Sequence, residues 1–274
     1  MKIAMMTYTM SRGEWAKKPD IRELCEFTRQ LGVEAIDWGG TYGSTPDEIR
    51  RITDGYGIKN ICYTFDASIQ NPDKAIRSKG LEQVKAGLEV ASVLGADKIM
   101  LPIPGVKGFD REEIRKICIE SLATAVELAK PLNIAVTIEH FHGTISPFIR
   151  SADMNEAVRA VPDLRITFDN GNIFTGGEEP AQGFLNSAPY IVHAHFKDWE
   201  RCDGGLYCLN GESYRGALVG EGLVDPVPCL KAMQQSGYKG YIDFEYEGQL
   251  YSPHQACLKG IPMLQELIDM ISDA

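Results

Sequence analysis

The feature that most limits how this chain can fold is a set of eight short apolar runs. Each run is separated from the next by a segment whose apolar residues have helical spacing. The runs are rich in β-branched and aromatic residues and cover residues 2–8, 33–38, 58–65, 96–103, 134–141, 164–170, 190–196 and 240–247. Between them, apolar residues recur every three or four positions, as they do in amphipathic helices. The clearest of these segments are 20–32, 45–57, 81–95 and 112–129. The pattern predicts strands that alternate with helices along the chain.

Strict alternation of this kind fixes the direction of the strands. A helix between two strands returns the chain to the same end of the sheet, so the strands must be parallel. Eight such units favour a closed (β/α)8 barrel, a TIM barrel of the α/β class, over an open doubly wound sheet. No glycine-rich phosphate-binding fingerprint follows the first strand, which weakens the dinucleotide-binding alternative. No linker or charged block marks a boundary, so we expect one domain over residues 1–274.

The charge balance limits the class of partner. The net charge is −10, from 28 basic and 38 acidic residues, and the basic residues form no cluster. Nucleic acid and anionic membranes both attract concentrated lysine and arginine, so we expect neither as a partner. The N-terminal apolar run is too short for a signal peptide, and no run is long enough to span a membrane. These features predict a soluble, cytoplasmic protein that acts on small molecules.

The seven cysteines also favour the cytoplasm. They are odd in number and scattered, and no two have the C-x-x-C spacing of a metal or redox motif. Several occupy apolar positions of strands or helices, as reduced core thiols do. Cys202 and Cys208 lie in one irregular stretch, 200–222, where a disulfide or zinc pairing is the less favoured alternative. We expect that stretch to be a long functional loop after the seventh strand.

The segment VHAHFKDW, residues 192–199, carries polar side chains on one face of a predicted strand. Because side chains alternate along a strand, His193, His195 and Lys197 point the same way. A buried strand has no packing reason for three such groups on one side. Active sites of TIM barrels lie at the C-terminal ends of the strands. We therefore expect this face to point into the active site.

Four consecutive predicted strands end in ionisable side chains. Glu139 ends the fifth strand, Asp169 the sixth, His195 the seventh and Glu245 the eighth. Singly, each has an ordinary alternative, such as a paired glutamate, a turn aspartate or a hydrogen-bonded core histidine. Together, three buried carboxylates need a cation to neutralise them. With one imidazole, they form a mostly oxygen ligand set that favours Mn²⁺ or Mg²⁺ and also accommodates Co²⁺, Fe²⁺ or Zn²⁺.

The motifs around these residues resemble those of the xylose-isomerase-like TIM barrels, also grouped as apurinic-endonuclease family 2. That superfamily includes ketose 3-epimerases, hydroxypyruvate isomerase, inosose dehydratase and apurinic-site endonucleases. The matching motifs are IAVTIEH with Glu139, TFDNGN with Asp169, HAHFKD with His195, GEGLVD at 220–225 and GYKGYIDFE with Glu245. The resemblance covers most of the chain and is densest after residue 130.

The resemblance implies roles for these positions. It makes Glu139, Asp169, His195 and Glu245 the ligands of one divalent metal ion. It also makes Glu139 and Glu245 the catalytic acid–base pair. We further expect substrate contacts from Lys197, Arg201, His193, Asn172 and His142, with His193 one layer deeper. Glu247 is expected to be solvated or to contact a lid.

Two departures from the epimerase pattern affect the substrate and the reaction. The epimerases usually have a histidine three residues after the aspartate ligand, where this chain has Asn172. They also often have a substrate-contacting glutamate six residues after the first ligand, where this chain has Ile145. Both departures leave the four expected metal ligands intact.

The favoured function is a metal-dependent isomerase or epimerase that acts on a sugar or keto-sugar through a metal-stabilised enediolate. The first alternative is a dehydratase or eliminase acting on a keto-polyol or 3-keto-glycoside. An alternative from another class is a sugar-binding barrel without catalysis. A nuclease is disfavoured, because the apurinic-site enzymes hold a histidine-rich multi-zinc cluster and this chain has five histidines. A homo-oligomer is compatible with the sequence, since members of the superfamily often form dimers or tetramers.

Overall fold

A closed barrel of eight parallel strands forms the centre of the molecule in the computed structural model, which describes residues 1–272. Its strands are β1 (Lys2–Met6), β2 (Ala35–Trp38), β3 (Lys59–Thr64), β4 (Lys98–Leu101), β5 (Ala135–Glu139), β6 (Arg165–Asp169), β7 (Ile191–Phe196) and β10 (Tyr241–Phe244). Each lies within its predicted range. Around the ring, β10 lies between β1 and β7. The prediction of a (β/α)8 barrel is confirmed.

Helices connect the strands and surround the barrel. They are α1 (Thr7–Ser11), α2 (Ile21–Gln30), α3 (Pro46–Tyr56), α4 (Lys74–Leu94), α5 (Arg111–Ala129), α6 (Ser151–Ala160), α7 (Asn170–Thr175), α8 (Pro180–Ser187), α9 (Pro226–Gln235) and α10 (Pro253–Ser272). Asp20 and Asp110 accept hydrogen bonds from backbone amides in the first turns of α2 and α5, which fixes where these helices begin. No helix within residues 1–272 is both long enough and apolar enough to cross a membrane.

Alternation along the strands separates the polar barrel interior from the apolar layer beneath the helices. On β5 and β6, Ile138 and Ile166 are fully buried in the main hydrophobic core. The intervening Thr137 and Thr167 are also fully buried, and their hydroxyl oxygens are hydrogen-bonded at 2.8 Å. Burying one such isoleucine contributes roughly 1.5–3 kcal/mol, so the apolar layer is the main source of stability. The interior can therefore carry polar groups that serve a site.

The stretch 200–222 is not the long irregular loop that we predicted. Most of it forms an antiparallel hairpin of β8 (Asp198–Tyr207) and β9 (Ser213–Ala217). Asp198 secures the segment after the hairpin, because its carboxylate accepts hydrogen bonds from the amides of Gly220, Gly222 and Val224 at 2.8–3.0 Å. The hairpin therefore extends from the end of β7, beside the barrel mouth.

Candidate metal centre

The four predicted ligands lie together at the C-terminal end of the barrel. Glu139, Asp169 and His195 lie at or next to the ends of β5, β6 and β7, and Glu245 directly follows β10. These strands are consecutive neighbours in the ring. All four side chains are buried, and one potential ligand atom from each lies within 4.8 Å of the others. We refer to these four residues as the metal centre.

Asp169 is oriented by the short turn from β6 into α7. Its Oδ1 accepts a hydrogen bond of 2.6 Å from the amide of Asn172 and so caps the helix. Its Oδ2 accepts no hydrogen bond from any residue that the structure describes, and it lies 3.4 Å from Lys197 Nζ. One oxygen therefore serves the fold, and the other is directed toward the metal centre.

His195 lies between the two glutamates. Its Nδ1 is 2.7 Å from Glu139 Oε1 and 3.6 Å from Glu245 Oε2. Its other ring nitrogen, Nε2, faces down the barrel toward two further carboxylates, those of Asp37 and Asp243. The imidazole thus presents one nitrogen to the metal centre and the other to the layer below it.

Lys197 is the one lysine or arginine among residues 1–272 that lines the cavity above the metal centre. Its Nζ donates a hydrogen bond of 2.9 Å to Glu245 Oε1. Burial alone would lower the pKa of Lys197, but the charges of Asp169 and Glu245 outweigh burial and raise this pKa well above its ordinary value. Gly171 makes room for the lysine, since a Cβ at Gly171 would lie 2.5 Å from Lys197 Cγ.

The electrostatics of the metal centre indicate a shortage of positive charge. Burial alone would raise the pKa of Glu245, but Lys197 and His195 lower it to about 2. Burial raises the pKa of Asp169 well above its ordinary value, although Lys197 opposes that change. Glu245 Oε2, like Asp169 Oδ2, accepts no hydrogen bond within the described part of the chain. Buried carboxylate oxygens without donors fit the ligands of a divalent cation.

A cavity of about 430 Å³ opens above these residues. Three of the predicted substrate contacts, His142, Asn172 and Lys197, line it. Glu247 also lines it, with only 13% of its side chain exposed, so it is not a solvated residue, and its contact with a lid stays a prediction. This cavity is the space in which a small molecule would meet the metal centre.

His193 lies in a different place from the one we predicted. It is fully buried beneath the metal centre, where its Nε2 is 2.9 Å from Asp243 Oδ2 and 3.2 Å from Asp37 Oδ2. The residues that line the cavity do not include it. The alternation that placed His193 and His195 on one face is correct, but this face runs down into the barrel. The prediction that His193 contacts substrate is therefore corrected.

Arg201 also lies away from the cavity. Its side chain is 68% exposed on the hairpin, 3.3 Å from Glu212 Oε1. It borders a separate surface depression that also involves Phe174 and Tyr214. The direction of the hairpin carries Arg201 outward, so the prediction that it contacts substrate is corrected for this conformation.

Two functional candidates escaped our sequence reasoning. Asp243 precedes Glu245 by two residues, so strand alternation could have placed both on the same face. Asp37, in the second strand, carried no comparable signal, because His193, which it contacts, lies 156 residues later in the chain. The structure places both carboxylates beneath the metal centre.

Comparisons with known proteins agree with this architecture. The model of the family described as "Xylose isomerase-like TIM barrel" matches residues 25–267. An inosose dehydratase of Lacticaseibacillus casei is 27% identical over 258 residues, covering 85% of this chain and 84% of the dehydratase.

Two solved structures share the fold. The 3-keto-D-glucoside 4-epimerase of E. coli has a TM-score of 0.79 and 17% identity, covering 97% of this chain and 99% of that chain. The IOLI protein with a bound zinc atom has a TM-score of 0.83 and 15% identity, covering 99% of each chain. Given the family match along most of its length, this chain is an enzyme that belongs to the xylose isomerase-like TIM barrels.

Proposed function

We propose that this enzyme is a metal-dependent isomerase or epimerase that moves protons on a sugar or keto-sugar. The observation that carries the proposal is the convergence of Glu139 and Glu245 on His195 at the floor of the cavity, at 2.7 and 3.6 Å. A divalent ion held by these residues and Asp169 would polarise the substrate carbonyl as a Lewis acid. Oxygen-rich ligation favours Mn²⁺, and Mg²⁺, Co²⁺, Fe²⁺ and Zn²⁺ are also compatible.

The two glutamates would act as proton acceptor and proton donor. They lie at the ends of β5 and β10, three strands apart in the ring, so they would approach a bound substrate from different sides. The hydrogen bond from Lys197 keeps Glu245 in the ionised form that a proton acceptor requires. Burial, assisted by the charge of Lys197, lowers the pKa of His142 to about 4. The neutral imidazole of His142 can both donate to and accept from substrate hydroxyls.

The charge of the cavity supports a neutral substrate. Its lining includes the acidic residues Asp66, Glu139, Glu245 and Glu247, with Lys197 as the only lining lysine or arginine within residues 1–272. A phosphorylated sugar would bring two further negative charges close to these carboxylates. We therefore infer an unphosphorylated ketose, keto-polyol or 3-keto-glycoside, whose size suits a cavity of about 430 Å³.

Dehydration is the second candidate reaction, and two observations favour it. The L. casei relative is an inosose dehydratase with similar coverage of both chains. In addition, Lys197 places a protonated amine beside the cavity, where it could donate a proton to a departing hydroxyl group. The departures at Asn172 and Ile145 separate this chain from the epimerase pattern.

Proton exchange in heavy water distinguishes these functions. The metal-loaded protein would be incubated with ketoses, keto-inositols and 3-keto-glycosides in D₂O and followed by NMR. Deuterium uptake with a change of configuration or carbonyl position supports the isomerase or epimerase. Loss of water from the substrate would instead identify the dehydratase. Binding without exchange across the set would mean that the barrel binds sugars without catalysis.

The cellular setting of this enzyme is part of the proposal. All seven cysteines are free thiols, which fits the reducing cytoplasm. We retain the proposals of one domain over residues 1–274 and of association into homo-oligomers. Neither the cavity nor the family relatives point to nucleic acid or to a membrane as a partner.

A further inference from the structure

We propose that Asp37, His193 and Asp243 are positioning residues that hold the His195 ring and set its affinity for the metal ion. We refer to these three residues as the support layer. The inference rests on the metal site of the proposed function, but it concerns residues that touch neither the cavity nor the substrate.

The support layer is built from three different strands. Asp37 comes from β2, His193 from β7 and Asp243 from β10, and all three side chains are fully buried inside the barrel. Thr64 on β3 donates a hydrogen bond of 3.2 Å to Asp37 Oδ1. Burying two carboxylates is costly unless each has a partner, so a purely structural interior would be expected to use apolar side chains instead. The cost indicates a function for these charges.

The contacts of the support layer converge on His195. His193 Nε2 lies between Asp37 Oδ2 and Asp243 Oδ2, at 3.2 and 2.9 Å, and bridges the two carboxylates. The same two oxygens lie 3.7 and 3.4 Å from His195 Nε2. His193 therefore keeps both carboxylates in place beneath the ring of His195.

This arrangement would select the tautomer of His195 when a metal ion is bound. Carboxylate oxygens, which can only accept hydrogen bonds, face both ring nitrogens: Glu139 Oε1 lies 2.7 Å from Nδ1, and Asp243 Oδ2 lies 3.4 Å from Nε2. An ion bound at Nδ1 would displace any proton there, and the carboxylates below the ring would then favour the remaining proton on Nε2. Histidine ligands of metals commonly have such a carboxylate on the far nitrogen, and its loss typically weakens metal binding 10–100-fold. His195 Nε2 has no hydrogen-bond partner among the described residues, and the two carboxylates of the support layer lie 3.4 and 3.7 Å from it, so they would supply this contact.

The support layer also has an alternative role. Asp37, His193, His195 and Asp243 could themselves hold a metal ion, since one ligand atom from each lies within 4.8 Å of the others. That role would require His195 Nε2 to lose its proton, or the His195 ring to turn away from the metal centre. The two roles differ in the number of ions bound, which makes them separable.

The test is a Mn²⁺ titration of apo-protein, followed by the EPR signal of free Mn²⁺, on the wild type, Asp243→Asn and Asp37→Asn. We expect one ion per chain in the wild type and a 10–100-fold higher Kd in both variants. The absorption spectrum of bound Co²⁺ should also change, because the bond to His195 is altered. Thr137→Val is the matched control, since it removes hydrogen bonds inside the barrel that go to Ile99 and Thr167 and not to the support layer. Its Kd should equal that of the wild type.

Several outcomes would overturn the proposal. Unchanged Kd and Co²⁺ spectra in both folded variants would show that the support layer does not act on the metal. Two ions in the wild type, falling to one in Asp243→Asn, would identify a second metal site instead. Asp37→Asn provides the test if Asp243→Asn fails to fold. A wild-type protein that binds neither Mn²⁺ nor Co²⁺ would overturn the metal site itself. If the wild type binds the ion and both variants bind it with the same Kd, only the role of the support layer is overturned.

Discussion

The two halves of the barrel mouth differ in chemistry. The half formed by β5, β6, β7 and β10, which we term the reactive half, contributes Glu139, Phe141, His142, Asn172, Lys197, Glu245 and Glu247 to the cavity. The half formed by β1 to β4, termed the packing half, contributes Met6, Tyr8, Gly39, Thr64, Phe65, Asp66, Met100 and Pro102. All but one of the lining groups charged at neutral pH therefore lie in the reactive half.

This difference has a physical reason. One ion can neutralise several carboxylates when their oxygens converge on one point, and the four proposed ligands do so from one side of the ring. Apolar and aromatic side chains opposite them exclude water, which strengthens the electrostatic interactions of the reactive half. We therefore expect substitutions in the reactive half to affect metal binding and turnover, and those in the packing half to affect substrate binding.

Removing a ligand from the reactive half should have the largest effect. Asp169→Ala deletes the carboxylate whose Oδ2 is directed toward the metal centre, so bound metal and turnover should both fall below detection. Elemental analysis after gel filtration measures the metal. Retention of one tightly bound ion in this variant would contradict the assigned site. Asn186→Ala offers a control, because Asn186 contacts Ser151 and Glu178, and none of the three lines the cavity.

The glutamate substitutions separate metal binding from proton transfer. Glu139→Gln and Glu245→Gln keep the size of the side chain and one ligating oxygen, so some metal should remain. Each should lower kcat by about a hundredfold or more, the usual scale for an acid–base group. The variant that lacks the base should also lose deuterium uptake into substrate, while its partner can retain uptake and lose product formation. Wild-type turnover in both variants would exclude Glu139 and Glu245 as the acid–base pair.

The barrel and the positions of the four proposed ligands were predictable because each depends on local patterns. Apolar, β-branched runs that alternate with segments of helical period indicated the strands, and the topological rule for parallel strands indicated their arrangement. Glu139, Asp169, His195 and Glu245 could then be placed on adjacent strands without knowledge of any contact. The fold and the positions of the four proposed ligands both follow from the alternation of strands and helices along the chain.

What could not be predicted depends on contacts between distant residues. Asp37 reaches His193 across the barrel, and nothing near Asp37 in the sequence records that pairing. The 200–222 hairpin is interrupted by Gly204 and Gly205, which hides its alternation. The outward direction of Arg201 depends on how the hairpin lies against the barrel, a tertiary property.

A truncation in the packing half should act on substrate binding. Phe65 lines the cavity and stacks on Tyr63, with ring centroids 5.3 Å apart. Phe65→Ala removes apolar contact area, so KM should rise about tenfold while metal content stays unchanged and kcat falls less than KM rises. Steady-state kinetics with the substrate identified in heavy water measure both constants. Loss of bound metal in this variant would show that the two halves are not separable.

Arg201→Ala should have the smallest effect and defines the outer limit of the reactive half. Arg201 and Lys197 both follow His195 and both were predicted to contact substrate, yet Lys197 is buried beside Glu245 while Arg201 is 68% exposed beside Glu212. Exposed ion pairs contribute little to stability, so kcat, KM and the melting temperature should change only slightly, with kcat/KM within about twofold of the wild type.

Lys197→Met is the matched comparison and should lower kcat/KM by at least tenfold, because it removes the cation that holds Glu245 ionised. A tenfold rise in KM for Arg201→Ala would mean that the hairpin folds over bound substrate and extends the reactive half beyond the cavity seen here.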